Sequence, residues 1–162
     1  MIEIDVVGVR IELPSNQPLI LLKERDGERH LPIWIGAPEA SAIAMSLQAI
    51  STPRPMTHDT MVALLEASGV AVVEVKIVDV QEAVFFARIV LSNGAEVDSR
   101  ASDAVALALR TQAPLRCGED VLEEAGVLIG EADDGESAAR KEDQVREFRE
   151  FLADIEPEDF ER

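Results

Sequence analysis

Seven residues in this chain have types and spacing that could support chemistry on an anionic substrate: Glu39, Arg54, His58, Asp59, Arg100, Ser102 and Asp103. Glu39 and Asp103 are the natural pair of carboxylates for a divalent cation. Such a cation, magnesium or manganese, lowers the pKa of bound water and neutralises developing negative charge. Asp59 is the third candidate carboxylate. The same set also suits a route without metal, in which His58 is the general base and Arg54 and Arg100 hold oxyanions with two-pronged hydrogen bonds. In this scheme His58, Asp59 and Arg100 are the catalytic candidates. Arg54 and Ser102 are substrate-binding candidates, and Glu39 and Asp103 are the metal candidates. Each also has a plainer structural use. An acid in the first turn of a helix, the place of Glu39, Asp59 and Asp103, is stabilised by the helix dipole alone. Arg100 can pair with Asp98 or Asp103, and Ser102 can cap a helix without touching substrate.

The elements that position these residues repeat. Gly36-Ala37-Pro38-Glu39-Ala40-Ser41-Ala42-Ile43-Ala44-Met45 and Arg100-Ala101-Ser102-Asp103-Ala104-Val105-Ala106-Leu107-Ala108-Leu109 lie 64 residues apart, with Glu39 over Asp103 and Ala40, Ala42 and Ala44 over Ala104, Ala106 and Ala108. Upstream, the same ungapped register lays Val6–Ile11 over Val70–Val75. Internal repetition constrains a whole fold. Here it implies two units of three strands and a helix, giving an α+β domain with a mainly antiparallel sheet. Small side chains at matching positions would let the two closing helices approach closely.

Local signals fill in the units. Residues 2–13, 19–23 and 30–35 read as strands, with Asp26-Gly27 as a turn. Pro32 places the third strand at an edge or irregular position, because proline cannot donate to the ladder. A helix is expected from Pro38 to Ala49, and Thr57 is the expected N-cap of a second helix over 58–67 that Gly69 ends. Strands at 70–81, 83–92 and 95–99, with Asn93-Gly94 as hairpin turn, lead to a helix capped by Ser102. A short helix at 119–124 and an apolar run at 127–129 follow. Residues 131–143 read as an acidic linker, and 144–162 as an amphipathic helix and tail with Val145, Phe148 and Leu152 on one face. The expected division is therefore 1–130, 131–143 and 144–162.

Composition narrows the partners. The net charge is −17, and residues 118–162 carry 17 acids against 5 bases, leaving only −5 on residues 1–117. With five Phe, one Trp and no Tyr, the chain lacks the aromatic platforms of a stacking nucleic-acid surface, and no basic face is evident. Arg54, Arg100, Arg110 and Arg116 are the residues from which a local basic cleft could be built. Trp34 reads as a core or interface residue. A single cysteine, Cys117, excludes an intramolecular disulfide and a cysteine-based metal cluster. With no run of roughly 18–20 apolar residues and no secretory leader pattern, a cytoplasmic location without membrane contact is expected.

Several stretches together resemble the bifunctional nuclease domain family, long catalogued as a domain of unknown function. They are Leu31-Pro32-Ile33-Trp34-Ile35-Gly36 with Glu39-Ala40, then Arg54-Pro55-Met56-Thr57-His58-Asp59, then Arg100–Ala108. The tail adds Phe148-Arg149-Glu150-Phe151-Leu152 and Pro157-Glu158-Asp159-Phe160. Ala101 stands where the family pattern has proline. The resemblance implies an α+β domain, a homo-oligomer, and cleavage of phosphodiester bonds in RNA and DNA with low sequence specificity. Two other readings stand beside it. One is a non-enzymatic interaction or regulatory module whose acidic C-terminal arm captures a protein partner. The other is a small-molecule or ion sensor using the cleft between the repeats.

Overall fold

A computed structural model describes residues 1–129 and, beyond them, position 146. The expected linker and C-terminal helix at 131–162 thus lie outside the described residues, apart from Arg146. Met1–Ile129 is one compact unit. Its first half is β1 (Ile2–Glu12), β2 (Gln17–Glu24), β3 (Arg29–Trp34) and α1 (Ala37–Leu47). After α2 (Thr57–Ala67) the pattern recurs as β4 (Val72–Gln81), β5 (Val84–Leu91), β6 (Glu96–Arg100) and α3 (Ala101–Thr111). The unit closes with β7 (Leu115–Cys117), α4 (Glu119–Ala125) and β8 (Val127–Leu128). The fold is α+β, as the repeat implies.

All eight strands form one sheet in the order β6-β5-β4-β7-β1-β2-β3-β8. One three-stranded meander lies on each side of β7, β4-β5-β6 and β1-β2-β3, and β8 adds a short further strand beyond β3. β7 runs parallel to β4 and antiparallel to β1, so the two halves point in opposite senses, as a pseudo-two-fold relation requires. Every other pairing is antiparallel. β7 itself, three residues long, carries too few positions for periodicity to reveal it and is absent from the sequence reading.

The repeat is true in the helices and drifts in the strands. α1 and α3 begin 64 residues apart, at Ala37 and Ala101. The hairpins close later: Glu12 faces Gln17 in one half and Gln81 faces Val84 in the other, offsets of 69 and 67. The ungapped match of Val6–Ile11 to Val70–Val75 is therefore displaced. Two residues, Ile35 and Gly36, separate β3 from α1, whereas β6 runs straight into α3. Bulges between Val6 and Gly8 in β1, and at two places in β4, shift the pairing further.

The turn expectations hold at Asp26-Gly27 and at Asn93-Gly94, where Gly94 takes φ 85° and its N–H meets Leu91 O at 2.9 Å. The β4–β5 turn uses Glu82 and Ala83 at φ 49° and 64°, a two-residue turn with left-handed backbone and no glycine. Pro32 pairs with Leu21 on one side, and β8 covers β3 only at Arg29 and His30, so the proline does lie beyond the paired edge. Pro18 to Leu22 are all buried, a continuous apolar run covered on both faces.

Helix boundaries differ from the local signals at three places. α1 spans Ala37–Leu47 with Gly36 at the N-cap, not Pro38–Ala49. α2 begins at Thr57 itself, after Met56. α3 is capped by Arg100 in extended backbone, and Ser102 is buried inside its first turn. At α3 the capping side chain gives way because β6 runs directly into the helix at Arg100. Among the described residues no helix is long and apolar enough to cross a membrane.

α1 packs on α3, and both contribute fully buried alanines: Ala40 and Ala42 from one, Ala104, Ala106 and Ala108 from the other. Overpacking such a contact forces backbone shifts. Ala104→Leu should therefore lose about 1–3 kcal/mol of unfolding free energy, whereas Ala63→Leu on the exposed side of α2 should stay within about 0.5 kcal/mol of the parent. Urea denaturation of the two variants checks this.

Candidate functional site at three helix starts

Each of α1, α2 and α3 carries one acid in its first turn, and all three stand at the third helical position: Glu39, Asp59 and Asp103. Unpaired backbone N–H groups and the dipole favour negative charge there. The sheet brings these helix starts into contact through side chains.

Arg100, the N-cap of α3, lies at the centre. Its Nε donates to Asp103 Oδ2 at 2.8 Å, and its Nη2 reaches Glu39 Oε1 at 2.8 Å and Asp103 Oδ2 at 2.7 Å. The two repeat-related acids are thus joined through one guanidinium. Glu39 first, then Asp103, raise the Arg100 pKa and hold it more firmly protonated. Glu39 is largely buried, whereas the Arg100 side chain is 66% exposed. Gly36 makes room for this arrangement. A Cβ at that position would collide with the Glu39 carboxylate, which folds back over its own helix start.

His58 completes the group from α2. Its Nε2 lies 3.0 Å from Asp103 Oδ1, and it is the one buried residue of that helix. Asp103 therefore serves two donors, one oxygen to His58 and the other to Arg100. With Nε2 as the donor, a tautomer assigned from this bond, Nδ1 is the basic nitrogen. The chain Glu39–Arg100–Asp103–His58 spans residues 64 positions apart in sequence.

Asp59 belongs to a separate cluster. Its Oδ2 accepts the Met56 backbone N–H at 2.9 Å, and its Oδ1 accepts Arg110 Nε at 2.8 Å. Arg110 also donates to Ala106 O at 3.1 Å and to Ala42 O at 3.2 Å, so it touches all three helices. The sequence reading gave Arg110 only a place in a basic cleft. Its position seven residues after Asp103, in the last turn of the same helix, is the signal that places both on one face.

The basic cleft itself does not assemble. Arg116 lies on β7 against Glu74 at 2.9 Å, and Arg110 is enclosed among the helices with a side chain only 10% exposed. Arg54 stays exposed in the connection leading to α2, where its carbonyl takes the Thr52 hydroxyl at 2.6 Å. Ser102 is buried next to Asp103 and does not reach out from the helix start. Trp34 is not in the core; it is about half exposed, two residues before the α1 N-cap.

Among the described residues no three or more histidine, cysteine or acidic side chains are arranged to hold a metal ion. The Glu39–Asp103 pair has the Arg100 guanidinium where a cation would sit, so the donor set does not fit a metal unless Arg100 first swings away. Cys117 is buried and its thiol is pushed up to about 12 by burial, which keeps it protonated and unreactive.

Residues 20–130 match the bifunctional nuclease domain. Over 159 residues the chain is 47% identical to Uncharacterized protein MT1877 of Mycobacterium tuberculosis strain CDC 1551 / Oshkosh, covering 98% of this chain and 97% of that protein. Uncharacterized protein Rv1829 of Mycobacterium tuberculosis strain ATCC 25618 / H37Rv matches with the same identity and coverage.

The Asp59 carboxyl is held below the usual carboxylate range, first by the Met56 N–H and then by Arg110. A depressed folded pKa stabilises above the unfolded value, about 3.9, and that stabilisation is lost as pH falls through the folded value. Partial exposure of Asp59 screens the Arg110 contribution. Asp59→Asn should cost about 1 kcal/mol at pH 7, the size of a lost helix cap. The gap between variant and parent should close below about pH 4. Thermal unfolding of both at several pH values tests this; a gap independent of pH would show that the charge is not what stabilises.

Proposed function

The chain belongs to the bifunctional nuclease domain family, and from that premise we propose that it hydrolyses phosphodiester bonds of RNA and DNA with low sequence specificity at the Glu39–Arg100–Asp103–His58 site. The observation that carries the reading is the shared carboxylate of Asp103, bonded at once to a histidine base and to an exposed guanidinium.

In this reading Asp103 orients the His58 ring and stabilises it when it becomes charged, so that the basic nitrogen can take a proton from the attacking water. Arg100 exchanges a carboxylate partner for a phosphoryl oxygen, using the same two-pronged geometry that now holds Glu39 and Asp103. The 66% exposure of its side chain supports that exchange. Arg54, exposed on the approach to α2, contacts a neighbouring phosphate. A metal-assisted route is part of the proposal: once Arg100 engages substrate, Glu39 and Asp103 can offer oxygens to magnesium or manganese. Self-association is proposed as well, and Met61 and Leu64 exposed on α2 support it. The buried free thiol of Cys117 is consistent with a cytoplasmic setting.

The test is cleavage of single-stranded RNA and single-stranded DNA by the full chain in magnesium, manganese or EDTA. The Glu39→Ala/Asp103→Ala variant is run alongside. The parent should cleave both substrates, and the double variant, still folded, should lose at least about a hundredfold in rate, the usual scale for a disabled acid–base group. Equal cleavage by parent and variant would move the activity to another site or another protein. No cleavage by the parent would favour the interaction module. Retention of activity in EDTA would assign the chemistry to His58 and the arginines alone.

A further inference from the structure

We propose that Arg110 is the positioning residue of this site: by holding Asp59, it fixes the start of α2 and so sets His58 against Asp103. The inference extends the reading of His58 as a base, but it rests on geometry that holds whatever the substrate.

α2 is poorly anchored by apolar burial. Of its 11 residues only His58 is buried, while Met61 and Leu64 face solvent. Polar links therefore dominate its placement. Two of them come from adjacent residues: His58 to Asp103, and Asp59 to Arg110. Asp103 and Arg110 are seven residues apart on α3, about 10 Å along one helix face. Two neighbouring side chains of α2 thus grip α3 at two separated points, which fixes direction as well as position. A single link would leave α2 free to pivot about it.

Arg110 is built to be the rigid end of this grip. Its side chain is only 10% exposed, and its two terminal nitrogens donate to the carbonyls of Ala106 in its own helix and Ala42 in α1. The guanidinium is therefore fixed relative to the helices that carry Asp103 and Glu39. Asp59 in turn holds the Met56 N–H at the α2 N-cap, so the link passes directly into the backbone beside His58. Among the described residues no hydrogen bond or ion pair joins Arg110 to the His58, Arg100 or Glu39 side chains, so its polar link to α2 runs through Asp59.

The deciding experiment reads the His58 ring itself by nitrogen-15 and proton NMR on the full labelled chain, with thermal unfolding in parallel. The proteins compared are the parent, Arg110→Met, Arg110→Lys, Asp59→Ala and the Arg110→Met/Asp59→Ala double variant. Arg88→Met, which cuts an exposed ion pair to Asp98 on the sheet, is the control. In Arg110→Met and Asp59→Ala the His58 Nε2 proton should exchange with water at least about tenfold faster, as expected when a hydrogen bond to a charged group is weakened. The double variant should be no worse than either single one, because both cut the same link. Arg110→Lys should recover part of the protection, and Arg88→Met should leave the signal unchanged. A folded Arg110→Met protein with lower Tm but an unchanged His58 signal would overturn the proposal and leave Arg110 a plain structural ion pair. If Arg110→Met does not fold, Asp59→Ala decides, since it opens the link while leaving the Arg110 bonds to both carbonyls. Where cleavage is measurable, Arg110→Met should lower kcat with KM nearly constant. Loss of the His58 signal in the variants, with no cleavage even by the parent, would count against the nuclease reading and uphold the positioning role.

Discussion

The close approach of α1 and α3 is the constraint from which the site follows. α1 and α3 pack on each other, and buried alanines at Ala40, Ala42, Ala104 and Ala108 keep both helices thin. Their starts therefore come near enough for one guanidinium to reach the third residue of each. The arrangement of strands about β7 sets the two helices in related places on the sheet, and the alanines set the separation. A bulky residue at the fully buried Ala104 would have to be accommodated by backbone shifts of α3, and the start of that helix carries Asp103 and Arg100. Packing of apolar atoms is thus what turns two ordinary capping carboxylates into a shared anion-and-cation cluster.

The sequence displayed that relation because it lies in the helices, where the repeat has not drifted. Acid over acid and alanine over alanine at an offset of 64 was enough to pair Glu39 with Asp103. The strands hid their equivalence because bulges and a two-residue difference in the strand-to-helix connection changed the offset to 67 and 69. Local capping preference misplaced the starts of α2 and α3, since Thr57 and Ser102 are good caps but Met56 and Arg100 sit where the chain actually turns into helix. The His58–Asp103 bond was beyond sequence reasoning. It joins residues 45 apart whose meeting depends on how a thinly buried helix crosses another. Arg100, by contrast, was visible as a candidate, although its true role of bridging both acids required the third dimension.

The acidity of the chain bears on the site in a specific way. Residues 1–117 hold a small net charge, and much of it is internally paired across the sheet. Arg25 bonds Glu3 and Asp5, and Arg116 and Lys76 both approach Glu74. Few cations are left to attract a polyanion from a distance, so the long-range field is not the means of capture. Any phosphate that binds must be recognised at short range, by groups already held in place. That requirement fits a cluster whose cation is fixed by two carboxylates before substrate arrives.

Two guanidiniums in this small region hold carboxylates at similar distances, yet solvent separates what they can do. The Arg100 side chain is 66% exposed, so water and salt screen its end of each pair, while the Glu39 and Asp103 side chains are only 15% and 25% exposed. Exchanging Glu39 for a phosphoryl oxygen there would replace one charge-assisted bond of the guanidinium by another, with the freed carboxylate left to the N–H groups and dipole of its own helix start. Arg110 is 10% exposed and has two backbone carbonyls besides Asp59. Removing its partner would leave a charge in a poorly solvated position, which is far more costly. The same pair of chemical groups is therefore open to solvent competition at the Arg100 end and shielded from it between the helices. This gradient of burial, rather than residue type, separates a guanidinium open to solvent from one enclosed between helices.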